Sequence, residues 1–338
     1  MYNIKVLIKK KIFQLAKNKI ISNWMKNYTG LFSTLFLHRV GEQNTNQLQQ
    51  TPNDRLKISE KVLRKFFEET SSQIKFLSLE ECLKIKKRNN YMMYCNLTFD
   101  DGYLDNLTNA LPLLEKYNIP ATIFITCSFA SGNAYLWWYE LWEHIEKNRE
   151  IILKQKNKLL RWNTNSLREK LICFSKIQII LQSLDYLHQN KFMMDITGKN
   201  KRKNYKKLFL NWDQIKKLDQ HPLITIGSHT VNHPNLKQEN IYSLKYEILN
   251  SKTILEEKLG HDIKFFAYPY GTYKEFGSRE LKEVMEAGYE AALTTVCHSS
   301  KLVDNYSIPR LSLNNNYKNE FFLRRISGLS NFLRRQLD

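Results

Sequence analysis

The chain has 338 residues, of which 42% are hydrophobic and 25% are charged. This composition is close to that of average soluble proteins and excludes a disordered, collagen-like or multi-spanning membrane protein. The 52 lysine and arginine residues outnumber the 33 acidic residues and leave a net charge of +19. That excess predicts attraction to an anionic partner, whether nucleic acid, phospholipid headgroups or a phosphorylated carrier.

Short apolar strands alternate with helical spacing along the chain. In chain order the sequence predicts a strand over 31–40, a helix over 58–69, a strand over 91–99, a helix over 104–117, a strand over 121–126, a strand over 223–226, a helix over 242–259, a strand over 263–267, a helix over 280–287 and a strand over 291–295. Such alternation predicts parallel strands joined by helices, as in an α/β barrel or a doubly wound sheet. Residues 135–210 depart from it with a Trp-rich start and long basic stretches, which we interpret as a helical insert.

Cysteine usage and the N-terminus bear on the compartment. The five cysteines form no C-x-x-C pair, so neither a disulfide framework nor a cysteine-ligated zinc site is predicted. Residues 1–30 are basic, and lysines interrupt the apolar stretch that a secretory signal needs. No window approaches the roughly 18 apolar residues that span a bilayer. We expect a cytoplasmic protein, with peripheral contact at the inner face of the cell membrane.

The first chemical motif is TFDDG, at the end of the strand over 91–99. Asp100 and Asp101 are adjacent carboxylates, which do not both ionise readily unless a cation lies close to them. The motif therefore indicates that one of the pair is a metal ligand. Taken alone, the same letters are equally typical of a surface turn.

The second motif, SHTVNHP, follows the predicted strand over 223–226 and places His229 and His233 four residues apart. On a helical turn both rings would face the same way. Two histidines and one carboxylate are a recurrent ligand set for Zn²⁺ and other divalent ions. A surface histidine pair is the alternative, but a second motif at another strand end favours the metal site.

A third motif, FFAYPYG, ends the strand over 263–267 with a turn that presents backbone N–H groups to a pocket, or else simply ends the strand. In this order, TFDDG, SHTVNHP and YPYG resemble the first three motifs of the polysaccharide deacetylases, carbohydrate esterase family 4. FLHRV before them and SIPRLSL after them also match, so the resemblance runs from about residue 35 to about residue 313.

The resemblance implies a distorted (β/α) barrel over 31–317, a divalent metal that is usually zinc, and removal of N-acetyl or sometimes O-acetyl groups from a carbohydrate. Its substrate would be a cell-surface polysaccharide or a glycan or lipid-linked precursor. By position, Asp101, His229 and His233 match the metal ligands and Asp100 matches the general base. Tyr270 matches the residue whose backbone N–H holds the oxyanion.

Two departures from the family pattern concern the base and the acid. Ala267 stands where the family commonly has an arginine that orients the base. Arg310 is a candidate for the missing cation. We also predict that Arg310 is one of the substrate-binding residues. The usual C-terminal Leu-x-x-His is not evident. One branch supplies that histidine from a strand before the first motif, so FLHRV makes His38 the proposed acid, with His298 as the competing candidate.

Outside these motifs, the aromatic faces of Trp137 and Trp138 suit stacking on a sugar ring, unless their helix simply docks on the barrel. The tail over 318–338 interleaves apolar residues with four arginines, as in a helix lying on an anionic bilayer or packed on the barrel. A nucleic-acid-binding protein would also explain the charge, but no matching signature is found. A non-catalytic carbohydrate-binding family member also stays open because of Ala267.

Overall fold

The computed structural model describes residues 31–42, 51–86, 92–155, 158–296, 304–319 and 322. The predicted N-terminal segment over 1–30, most of the predicted tail and the acid candidate His298 lie outside these residues. Within the described ranges, no helix has both the length and the apolar character needed to cross a membrane.

Strands and helices alternate over most of the described chain. The strands are β1 (Ser33–Leu37), β2 (Arg39–Val40), β3 (Lys57–Ile58), β4 (Ile74–Phe76), β5 (Met93–Phe99), β6 (Ala121–Ile125), β7 (Glu150–Gln155), β8 (Lys158–Asn163), β9 (Ile224–Ser228), β10 (Phe265–Ala267), β11 (Ala291–Leu293) and β12 (Arg310–Ser312). The α-helices are α1 (Glu60–Thr70), α2 (Leu79–Leu83), α3 (Leu111–Tyr117), α4 (Cys127–Ala130), α5 (Trp137–Lys147), α6 (Leu167–Gln182), α7 (Tyr186–Thr197), α8 (Trp212–Asp219), α9 (Ile241–Lys245), α10 (Ser251–Leu259) and α11 (Ser278–Glu286). Single π-helical turns at Asn106–Ala110 and Tyr246–Asn250 lead into α3 and α10.

Seven parallel strands form a nearly closed barrel. They follow one another in the order β11-β10-β9-β6-β5-β1-β12, and β4 pairs with β5 off this path. A parallel bridge from Leu293 to Ile308 joins β11 to the segment before β12 and brings the two ends of the sheet together. The predicted distorted (β/α) barrel is confirmed. β12, which the hydrophobic pattern did not predict, is only three residues long.

The strand register places the motif residues at one edge of the barrel. Leu37 pairs with Phe99, and Ser228 pairs with both Ile125 and Phe266. The residues that follow these strands therefore emerge together at the carboxyl ends of the strands, where (β/α) barrels carry their active sites.

Apolar faces of the helices cover the barrel. In α1, Leu63, Phe66 and Phe67 are buried at helical spacing, and the predicted cap Ser59 accepts the backbone N–H of Val62. A buried face of this kind stabilises a short helix that would be marginal on its own.

The insert contains the helices α5, α6 and α7, as predicted, and also an antiparallel hairpin of β7 and β8 that was not predicted. On β7, buried Ile151 and Leu153 alternate with exposed Ile152, and Ile151 packs in a separate apolar cluster with the insert helices. Alternation over so few residues is too short a signal to separate a strand from a helix among basic residues.

Candidate active site

The three motifs converge on one buried cluster. The Asp101 Oδ1 atom lies 3.5 Å from His229 Nε2 and 3.3 Å from His233 Nε2. One potential ligand atom from each residue lies within 4.8 Å of the others. The three side chains are 3%, 2% and 8% exposed, respectively. Two histidines and a carboxylate from separate strand ends thus meet as the sequence predicts.

The chemistry of these three residues fits a divalent cation. His229 Nδ1 lies 2.7 Å from the Ala267 carbonyl oxygen and donates to it, which turns the lone pair of Nε2 toward Asp101. Burial lowers the pKa of His229 to about 4 and lowers the pKa of His233 well below its usual value, so both rings are neutral at pH 7. Asp101 Oδ1 is a buried oxygen with no hydrogen-bond partner among the described residues. A cation at this point would satisfy that oxygen and both ring nitrogens.

The charge state of Asp101 supports the same assignment. Burial, and then the neighbouring charge of Asp100, raise the pKa of Asp101 well above its usual value. A buried carboxylate beside a second carboxylate takes up a proton unless a cation neutralises it. At neutral pH this carboxyl group would therefore hold a proton unless a cation replaced it.

The loop between the two histidines is not helical. Thr230 and His233 both have positive φ values, 68° and 61°, and the Thr230 hydroxyl accepts the His233 N–H at 2.9 Å. The Glu247 carboxylate accepts two further N–H groups of the loop, at 2.9 and 2.8 Å. The prediction that a helical turn aligns the rings is wrong, since hydrogen bonds to this loop bring the ring centroids within 5.0 Å instead.

Backbone strain is concentrated around the cluster. Asp101 and Tyr270 also adopt left-handed conformations, with φ values of 72° and 59°. With Thr230 and His233, they are four of the five non-glycine residues at positive φ in the described chain. Each such residue costs about 1–3 kcal/mol and persists only where its surroundings enforce it. Strain of this kind clusters at functional sites, which makes these loops candidates for a functional role.

Asp100 is held by a buried arginine. The guanidinium of Arg310 donates two hydrogen bonds to the carboxylate, at 2.6 and 2.8 Å, and a third to the Thr98 hydroxyl at 3.1 Å. Burial is the largest single influence on Asp100 and opposes its ionisation, but the charge and hydrogen bonds of Arg310, together with His229 and His38, lower the pKa of Asp100 below its usual value. Asp100 is thus a carboxylate at neutral pH.

The position of Arg310 corrects one of its two predicted roles. It supplies the cation that Ala267 lacks, but it does not contact substrate, because its side chain is 0% exposed and does not line the cavity. Bidentate pairing between guanidinium and carboxylate fixes the orientation of both groups. Arg310 is therefore a positioning residue for Asp100.

His38 lies directly after β1 at the rim of the cluster. The Asn106 side chain donates to its backbone carbonyl at 2.9 Å, which fixes the end of the strand. Burial lowers the pKa of His38, so its ring is neutral in the free protein at pH 7. The acid role predicted for His38 requires a protonated ring, whereas a neutral ring can deliver only a proton that it receives during turnover.

A cavity of about 280 Å³ opens above the cluster. Asp100, Asp101 and His38 lie against it on the barrel side, and both Trp137 and Trp138 line it from the insert. The Trp137 indole donates to the Tyr270 hydroxyl at 3.0 Å, and the Trp138 ring lies 5.4 Å from the His233 ring, centroid to centroid.

Sequence analysis missed several residues that line the cavity. Asn53 precedes β3, whereas Phe174, Gln178 and Gln182 come from α6 in the insert. The three residues of α6 are spaced at i, i+4 and i+8, so they share one helix face. That spacing was the available signal, but an insert helix has several such faces and nothing in the sequence selects this one.

The predicted tail is described only at its start. Phe322 packs on the barrel domain, with its ring 5.0 Å from Phe66 and 5.6 Å from Tyr317. At this one residue a barrel contact replaces the predicted bilayer contact. Membrane binding by the rest of the tail and the cytoplasmic location stay predictions.

Comparison with known proteins agrees with the site. A model of the polysaccharide deacetylase family matches residues 88–162 and 180–298, more than half of the chain. YxkH of Bacillus subtilis strain 168, named for the same family, is 23% identical over 199 residues, which are 59% of this chain and 43% of YxkH. The chain thus spans less than half the length of that relative.

Two solved structures share the fold. The Streptococcus pyogenes deacetylase PplD, in complex with acetate, superposes with a TM-score of 0.58 at 18% identity, covering 87% of this chain and 97% of PplD. A de-N-acetylase from Aggregatibacter actinomycetemcomitans superposes with a TM-score of 0.53 at 16% identity, covering 89% of this chain and 99% of that one. With the family match over both the TFDDG and SHTVNHP motifs, this chain belongs to the polysaccharide deacetylase family.

Proposed function

We propose that this protein is a metal-dependent deacetylase that hydrolyses N-acetyl groups of a cell-surface polysaccharide or of its glycan or lipid-linked precursor. The observation that carries the proposal is the buried Asp101, His229 and His233 cluster beside the ionised Asp100, at the floor of a cavity. Family membership and the fold shared with a de-N-acetylase support it. Zinc is the metal we propose, because two imidazoles and one carboxylate leave it an open coordination position.

Different residues of the chain carry out different steps of amide hydrolysis. A divalent ion bound by Asp101, His229 and His233 supplies Lewis acidity toward the acetyl oxygen and makes water more acidic. Asp100, kept charged by Arg310, takes the proton of the attacking water. The Tyr270 N–H donates to no acceptor within the described chain and is free to hold the oxyanion, an effect worth about 3 kcal/mol.

The departing amine needs a proton, and we assign its delivery to His38. This histidine lies on the cavity side of β1, before the first motif, as in the branch that places the acid there. The Asp100 carboxylate favours its charged form, in opposition to burial. A proton that arrives from water during the reaction therefore has a place to reside before it reaches the amine.

Arg310 also bears on the alternative of a non-catalytic sugar-binding protein. Ala267 kept that alternative open because it removes the arginine that orients the base. A different strand, β12, supplies a guanidinium to the same carboxylate. An intact base with its cation favours catalysis over binding alone.

The proposal is tested by acetate release. We expect the purified protein to release acetate from N-acetylated oligosaccharides, to lose this activity with a chelator, and to regain it with Zn²⁺ or Co²⁺. An O-acetylated xylan in the same assay separates ester from amide specificity. Activity that survives exhaustive chelation, or no acetate from any acetylated glycan in metal-replete buffer, would contradict the proposal.

Replacing His38 by alanine tests the acid. We expect amide hydrolysis to fall about 10²- to 10⁴-fold, while hydrolysis of p-nitrophenyl acetate changes little, because p-nitrophenolate leaves without a proton. The same substitution at His298 is the control and should leave both rates unchanged. If the two rates fell together in His38→Ala, or if His298→Ala showed the selective loss, His38 would not be the acid.

A further inference from the structure

We propose that Gln178 and Gln182 of the insert select an uncharged sugar by hydrogen bonding to its hydroxyl groups; this rests on the proposed deacetylase function. The insert interrupts the barrel pattern and contributes one whole wall of the cavity above the metal cluster. The barrel side carries the reacting groups, so the insert side is left to recognise the rest of the substrate.

The two amides are fixed on a rigid helix face. Phe174, one turn earlier on α6, is buried in the insert core, with its ring 6.0 Å from the Trp142 ring. Ser166 caps the helix start by accepting the Glu169 N–H. At its other end, the Gln182 backbone carbonyl accepts the Asn235 amide at 2.6 Å, which ties α6 to the segment after the metal-binding loop.

Both side-chain amides are available to a ligand. They line the cavity and are only partly exposed, and neither makes a side-chain hydrogen bond within the described residues. An amide offers one acceptor and two donors, which suits a sugar hydroxyl that both donates and accepts. The two amides lie one helical turn apart on the same face of α6, so both are presented to the cavity.

The charge of the wall points to an uncharged ligand. Although the chain carries a net charge of +19, none of the described residues that line the cavity is a lysine or an arginine. The insert side presents only the rings of Trp137, Trp138 and Phe174 and the two amides. A carboxylated or phosphorylated sugar would lose its hydration there without gaining a cationic partner.

The size of the cavity agrees with a small occupant. Its volume of about 280 Å³ lies just below the range of roughly 300–1,000 Å³ for small-molecule sites. We infer that one acetylated sugar residue enters while the remainder of the glycan stays outside.

The test compares Gln178→Met and Gln182→Met with the wild type, since methionine keeps the length of the side chain without the amide. For a neutral chitooligosaccharide we expect KM to rise about tenfold for each amide removed, with little change in kcat. Hydrolysis of p-nitrophenyl acetate, which has the acetyl group but no sugar, should stay unchanged. Gln220→Met, at an exposed position outside the cavity, is the matched control.

Calorimetric binding provides a readout that does not depend on turnover. At about 0.15 M salt, the chitooligosaccharide should bind the wild type more tightly than a hyaluronan oligosaccharide, which carries carboxylates. Each amide variant should lose this preference in proportion to its rise in KM.

The outcomes separate the two proposals. If the wild type binds the neutral glycan through these amides but releases no acetate, the deacetylase proposal fails and the amide assignment stands. If the variants bind both glycans like the wild type, if the ester rate falls together with the sugar rate, or if the wild type binds neither glycan, the amide assignment is overturned.

Discussion

Replacing Arg310 by methionine should lower the free energy of unfolding by about 3–5 kcal/mol at neutral pH and remove most of the acetate release. The substitution leaves the Asp100 carboxylate buried without its two guanidinium hydrogen bonds, at 2.6 and 2.8 Å. Asp100 then protonates, and a protonated base does not accept the proton of water. Equilibrium denaturation and acetate release measure the two effects.

The stability lost in Arg310→Met should depend on pH in a defined direction. In the wild type Arg310 lowers the folded-state pKa of Asp100, so the pair stabilises the protein above the unfolded pKa and this contribution is lost as the pH falls through the folded pKa. In Arg310→Met the guanidinium no longer offsets burial, which is the largest influence on Asp100, and we expect the pKa of Asp100 to rise above its unfolded value, so that stability is lost as the pH rises. The stability difference between the two proteins should therefore be larger at pH 7 than at pH 4.

An exposed ion pair serves as the control. Arg161 lies 3.2 Å from Glu150 on the surface of the hairpin, with 55% of its side chain exposed. Arg161→Met should cost less than about 1 kcal/mol and leave acetate release unchanged. An equal loss in the two variants, or a stability difference for Arg310→Met that does not change with pH, would contradict the role given to the buried pair.

Replacing Asp100 and Asp101 separately by asparagine should show that the two adjacent carboxylates have different functions. We expect Asp101→Asn to bind no metal and to release no acetate. We expect Asp100→Asn to keep the metal and to lose about 10²- to 10⁴-fold in rate, because only the base is removed. Elemental analysis of the dialysed proteins and acetate release distinguish the two variants.

The melting temperatures of Asp101→Asn and the wild type provide a second test of the assignment. Without metal, burial raises the pKa of Asp101, so its carboxylate destabilises the fold increasingly as the pH rises, and Asp101→Asn should unfold at or above the wild-type temperature. Asparagine also tolerates the left-handed conformation at φ 72°. Added Zn²⁺ should raise the melting temperatures of the wild type and of Asp100→Asn, but not that of Asp101→Asn. A metal-dependent rise in Asp101→Asn, or a metal-free Asp100→Asn that retains full activity on zinc addition, would refute the assignment.

The convergence of Asp101, His229 and His233 was predictable from sequence because these residues follow strand ends. Carboxyl ends of parallel strands meet at one edge of a barrel, so Asp101 and the two histidines come together once the alternation of strands and helices is recognised. The resemblance to the family added the order of the motifs. Both steps rely on patterns that extend over whole elements.

The remainder of the site depends on features that leave little trace in sequence. Arg310 reaches Asp100 across 210 positions, from a three-residue strand that is too short for its hydrophobic pattern to be recognised. The left-handed Thr230 and His233 lie in a loop whose backbone N–H groups donate to Glu247, in a later π-helical turn, whereas propensity alone predicts a helical turn. The amides of Gln178 and Gln182 on α6 were not predicted, because tertiary packing decides which face of a helix borders a cavity.

The pairing of Asp100 with a strand late in the chain has a consequence for biosynthesis. The ribosome synthesises β5 and the following Asp100 and Asp101 long before β12. The nascent barrel therefore first holds two adjacent carboxyl groups without the guanidinium of Arg310. Docking of β12 between β1 and the end of β11 then supplies hydrogen bonds to the sheet and neutralises Asp100 in the same event. If Asp100 is the general base, as we propose, its maturation is thereby coupled to completion of the barrel wall, and an incompletely synthesised chain lacks a correctly paired base.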